Sequence, residues 1–112
     1  MTSRSHQRRR LAAPLPERET RLDADALAHW LPTSGWTREG ETLTKTFRRK
    51  GWKDAIAFVD RIAKAADEID HHPDIHVERY RNVRVTTTTF ATGKLSDADV
   101  ALAQRIEELA SA

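Results

Sequence analysis

The chain has 112 residues, 38% of them hydrophobic and 32% charged, and no cysteine, which leaves room for one small domain and not for two. A disulfide framework and a cysteine zinc site are excluded, and no apolar run approaches the ~20 residues of a membrane-spanning helix. The formal net charge is +2, yet the first 22 residues hold six Arg against two Glu, so the rest of the chain is slightly acidic. A body of that sign speaks against a nucleic-acid partner, because such proteins carry their positive charge as a patch on the folded domain. No apolar segment follows the arginines, so neither a secretory leader nor a membrane partner is expected, and the expected location is cytoplasmic.

Residues 1–21, with Arg8, Arg9 and Arg10 and the breaks at Pro14 and Pro16, read as a disordered Arg-rich leader, and residues 22–112 as the domain. Asp23 is a candidate N-cap for a first helix with the apolar stripe Leu27, Trp30 and Leu31, stopped at Leu31-Pro32 and Gly35. Trp36 to Arg38, a turn at Glu39-Gly40, and Thr42 to Phe47 form a hairpin with Leu43 and Phe47 on one side. From Trp52 to Ile69 the positions Trp52, Ile56, Val59, Ile62, Ala66 and Ile69 recur at three and four residues, the period of one helical face. That helix must end before Pro73.

A short strand is expected around Ile75 to Val77, and the β-branched run Val83 to Phe90 reads as a central strand ended by Gly93. Ser96 and Asp99 form a capping box for the last helix, which turns Val100, Ala103 and Ile106 inward and Glu107 outward. Short strands with helices between them predict an α+β fold, a sheet covered by helices on one face. The open face and the sheet edges favour burial against a second copy, so a homo-oligomer is expected.

The one chemical signal is a histidine cluster, His71, His72 and His76, just after the long helix. Imidazole titrates near neutral pH and suits proton transfer in both directions. Asp67 stands four residues before His71, one helical turn away, where a carboxylate orients an imidazole or favours its protonated form. The competing reading is structural: histidines at a helix C-terminus cap carbonyls and complement the dipole. The spacing does not suit a metal, since adjacent histidines diverge and no cysteine completes a tetrahedral set. No phosphate loop or nucleophile elbow is present.

The stretch Asp67-Glu68-Ile69-Asp70-His71-His72-Pro73-Asp74-Ile75-His76, with Tyr80, the Thr-rich strand and Leu95-Ser96-Asp97-Ala98-Asp99, resembles the pterin-4a-carbinolamine dehydratase family. The likeness runs from Leu22 to the C-terminus. It implies a four-stranded antiparallel sheet with three helices on one face, a dimer or tetramer, and removal of water from 4a-hydroxytetrahydrobiopterin without metal or bound cofactor. It further implies catalytic roles for His71, His72 and Asp67, and places Pro73, His76, Phe90 and Asp99 around the pterin. The family's third site histidine follows a threonine at the end of the long strand, and here that position is Phe90. The resemblance therefore also reaches pterin dehydratase-like proteins of alpha-carboxysomes that act as Rubisco assembly factors, with the Rubisco large subunit as partner.

Overall fold

The computed structural model describes residues 14–111. Most of the expected leader lies outside them; its last part holds one helical turn, α1 (Glu17–Thr20). The remaining elements, in chain order, are α2 (Ala24–Ser34), β1 (Thr37–Glu39), β2 (Thr42–Arg48), α3 (Trp52–Ile69), β3 (Asp74–Glu78), β4 (Asn82–Thr87) and α4 (Asp97–Ala110). The strands form one antiparallel sheet in the order β1-β2-β4-β3, with β4 central as expected.

The two-residue alternation of β4 buries Val83, Val85 and Thr87 and leaves Arg84 and Thr86 on the other face. Across the register, Val83 lies opposite Phe47 and Val77, and Val85 opposite Lys45 and Ile75. The inner face thus presents Leu43, Phe47, Val83 and Val85, which pack against Leu27, Phe58, Ile62, Leu102 and Ile106 from three helices. The outer face is polar, with Thr44 bonded to Thr86 at 3.2 Å and Arg84 to Glu78 at 3.1 Å.

Three local expectations are corrected. Helix α2 passes through Pro32 and ends at Gly35, whose φ of 81° takes the left-handed conformation of a helix C-cap. Proline costs little there because it removes a single bond from the last turn. Lys45 occupies the space a side chain at Gly35 would need, its Nζ only 2.8 Å from an ideal Cβ. Glu107 points in rather than out: it accepts from Lys45 Nζ at 2.7 Å and from Trp36 Nε1 at 2.8 Å, so two donors near the sheet draw it there.

The inward face of α3 is also rotated from the expected one. It consists of Ala55, Phe58, Ile62, Ala65 and Ala66, whereas Trp52 and Ile56 are exposed. Two apolar stripes share this helix. Phe58 selects between them by meeting Phe47 edge to face, at 5.1 Å between centroids and 69° between planes.

The connection between β3 and β4 breaks a local rule. Arg79 and Tyr80 both adopt left-handed backbone, φ 50° and 57°, which costs a residue with a side chain ~1–2 kcal/mol and which glycine adopts freely. Arg79→Gly is therefore expected to raise stability by about 0.5–1 kcal/mol in denaturant unfolding. A loss of stability would show that the arginine side chain supports the turn.

Candidate active site

The C-terminus of α3 sets the histidine geometry. Asp70 leaves the helix in the left-handed conformation, φ 53°, and its N–H together with that of His71 closes the last turn on Asp67 and Ala66 carbonyls. This turn reverses the chain, so the four-residue spacing of the helix no longer governs the residues beyond it. His71 swings inward and is buried, whereas His72 stays exposed.

That reversal decides the partners. His72 Nε2 meets Asp67 Oδ1 at 2.9 Å, so the acidic residue orients the second histidine and not the one four positions on. His71 Nε2 meets Asp99 Oδ1 at 2.6 Å. Asp99 is fully buried, and its oxygens are saturated: Thr87 donates to Oδ1 at 2.6 Å, Thr89 to Oδ2 at 2.8 Å, and the Ser96 N–H to Oδ2 at 3.0 Å. Burial by itself would raise the Asp99 pKa, but the hydrogen bonds from His71, Thr87, Thr89 and Ser96 together outweigh it and hold the carboxyl below its usual range. Asp99 therefore stays ionised and accepts the Nε2 proton of His71.

Both histidines open on one cleft of about 200 Å³, lined also by Glu19, Asp70, Thr88, Thr89, Phe90 and Ala91. Strand β4 ends at Thr87, so Phe90 sits past it in a turn closed by the Gly93 N–H on the Thr89 carbonyl at 2.9 Å. The ring is 75% exposed at the rim. Helix α1 closes the opposite side, where Arg18 donates to the Ile69 carbonyl and Glu19 reaches the cleft.

The other expected site residues fall elsewhere. Asp99 stands behind His71 and does not line the cleft. Pro73 is half-buried outside the lining. His76 is exposed on β3 opposite Arg84, on the outer face of the sheet, because Ile75 and Val77 take the inward positions. Thr87, Thr89 and Ser96 are site residues that the sequence reading does not single out. Their signal is the strand alternation that turns both threonines inward, and the capping box that already ties Ser96 to Asp99. Among the described residues no group of three His, Asp or Glu is placed to hold a metal ion.

The family model for pterin 4 alpha carbinolamine dehydratase matches residues 20–109. The chain belongs to that family. A Thermomicrobium roseum protein, provisionally named a pterin-4-alpha-carbinolamine dehydratase, is 42% identical over 92 residues, covering 81% of this chain and 98% of its own. A Nocardia farcinica protein of the same provisional name is 44% identical over 75 residues, 67% of this chain and 78% of its own. A crystal structure from Brucella melitensis, described as a transcriptional coactivator/pterin dehydratase, superposes with a TM-score of 0.71 at 27% identity, covering 80% of this chain and 98% of that one. A pterin dehydratase-like protein described as a RuBisCO assembly factor in the alpha-carboxysome superposes with a TM-score of 0.56 at 26% identity, over 69% and 88% of the two chains. Within this pterin dehydratase family member the histidine pair and its two carboxylates occupy the matched segment.

Proposed function

We propose that the chain removes water from a 4a-hydroxytetrahydropterin to give the quinonoid dihydropterin, with His71 and His72 moving the protons. The observation that carries this reading is two imidazoles, each on its own carboxylate, opening on one cleft. The reaction asks for little else. One imidazolium delivers a proton to the C4a hydroxyl, the C–O bond breaks with its electron pair on oxygen, and water leaves. The N5 lone pair forms the C4a–N5 double bond, and the N5 proton passes to the other imidazole, so the enzyme ends with the proton count it began with. Asp67 and Asp99 orient the two imidazoles, and the exposed Phe90 ring offers a face on which a flat pterin stacks.

Phe90 also carries a second reading. A ring that exchanges no proton suits a scaffold that has given up catalysis and binds a protein such as the Rubisco large subunit; one structural neighbour is described as a RuBisCO assembly factor in the alpha-carboxysome. Rate measurement separates the two. With 4a-hydroxytetrahydropterin generated by a hydroxylase, the wild-type chain is expected to speed dehydration above the buffer rate, and Phe90→His to add about tenfold. No acceleration, with no binding of a pterin analogue, would sink the enzymatic reading and favour the scaffold.

A further inference from the structure

The charge of the folded domain is not evenly spread. From Leu22 onward it holds thirteen Lys and Arg, and six of them stand at or beside two connections: Arg48 at the end of β2, Arg49 and Lys50 in the β2–α3 connection and Lys53 at the start of α3, with Arg79 and Arg81 in the β3–β4 connection. The loops are joined, since Arg81 donates to the carbonyls of Arg49 at 2.7 Å and Lys50 at 3.0 Å. Two of the six cations are engaged: Arg81 in those bonds and Arg49 with Asp54 at 3.0 Å. Glu78, next in the chain to Arg79, is held by Arg84. Arg48, Lys50, Lys53 and Arg79 are exposed and have no carboxylate partner among the described residues.

An aromatic side chain stands in the middle of this charge. Arg48, Arg79, Tyr80, Arg81 and Asn82 line a cleft of about 370 Å³, and Tyr80 is 57% exposed. Arg48 also lines the adjoining cleft of about 330 Å³ with Arg49 and Lys50, so the basic surface extends past one binding pocket. The connection keeps Arg79 and Tyr80 in left-handed backbone that asparagine or glycine would hold more cheaply.

We propose that this end of the domain binds single-stranded nucleic acid, with Arg48, Lys50 and Arg79 on successive phosphates and Tyr80 stacked on a base. The arrangement is that of single-strand binders, a cationic track with an aromatic platform, and it needs no sequence readout. It also revises the expectation drawn from net charge: the domain is slightly acidic as a whole and basic at one end. The surface is separate from the histidine cleft, with which it shares no lining residue.

The test is fluorescence anisotropy of labelled oligothymidylate with the full chain over a salt series. Arg79→Gly is expected to weaken binding and to flatten the logarithmic salt dependence by about 0.7, the share of one phosphate on a single strand. Its unfolding midpoint should hold or rise, which a structural role would not allow. Tyr80→Gly is expected to weaken binding at least about fivefold with the salt slope unchanged, and Tyr80→Phe to retain it. Equal binding by all variants would assign the effect to Arg8, Arg9 and Arg10 and overturn the proposal. Competition by polyglutamate as strong as by oligothymidylate would overturn it too, in favour of an acidic protein partner.

Discussion

Asp99→Ala is expected to lower stability by ~3–5 kcal/mol, because it removes the one acceptor that four buried donors share. For a domain of this size the thermal midpoint should fall by at least about 12 °C. Thr87→Val keeps the shape and removes a single donor, and should cost about 1 kcal/mol. The depressed Asp99 carboxyl contributes to the wild-type pH profile. Its contribution is fully present above the ordinary carboxyl value of 3.8 and is lost as pH falls through the lower value in the folded state. Acid titration of stability should therefore be steeper in the wild type than in Asp99→Ala below about pH 4. A midpoint change under about 4 °C in Asp99→Ala would show that the network is not what fixes His71.

His72→Ala is the opposite case: a large loss of rate with little loss of stability. Its pair with Asp67 lies at the surface, with side chains 58% and 80% exposed, and such pairs contribute about 0–1 kcal/mol. If His72 moves a proton in the dehydration, the rate should fall about 10²- to 10⁴-fold, toward that of buffer. Asp67→Asn should cost far less, since the amide keeps a hydrogen-bonding oxygen beside the His72 ring. Full activity in His72→Ala would leave His71 as the sole proton carrier and would require solvent to supply the other.

The adjacent histidines thus have separable roles. One is held by the interior, and its substitution is expected to disturb the fold as well as any proton transfer. The other is exposed in the same cleft, and its substitution is expected to leave the fold intact and so to test the proposed proton transfer alone. Phe90 belongs with the second: it is exposed, outside the strand ladder, and free to be replaced by histidine without touching the core.

Much of this is legible in the chain itself because it depends on neighbours in sequence. Local periodicity determined the long helix, the alternation of Val83 and Val85 determined which face of the central strand is buried, and Ser96 with Asp99 announced the last helix. The His-His-Pro segment marked the candidate site, since proton transfer needs groups that titrate near neutrality. What the sequence could not decide is which of two equivalent local choices survives packing. Helix α3 carries two apolar stripes, and only contact with Phe47 buries the one with Phe58. Asp67 is spaced for His71, yet the left-handed Asp70 hands it to His72 and leaves His71 to a carboxylate 28 residues away. His76 looks like a third site histidine until the strand alternation sends it to the outer face. The six cations stand in two groups about thirty residues apart in sequence and gather only when the β2–α3 and β3–β4 connections meet at one end of the sheet. Each of these outcomes depends on contacts between segments far apart in the chain, where burial and charge pairing outweigh the preferences of any single stretch.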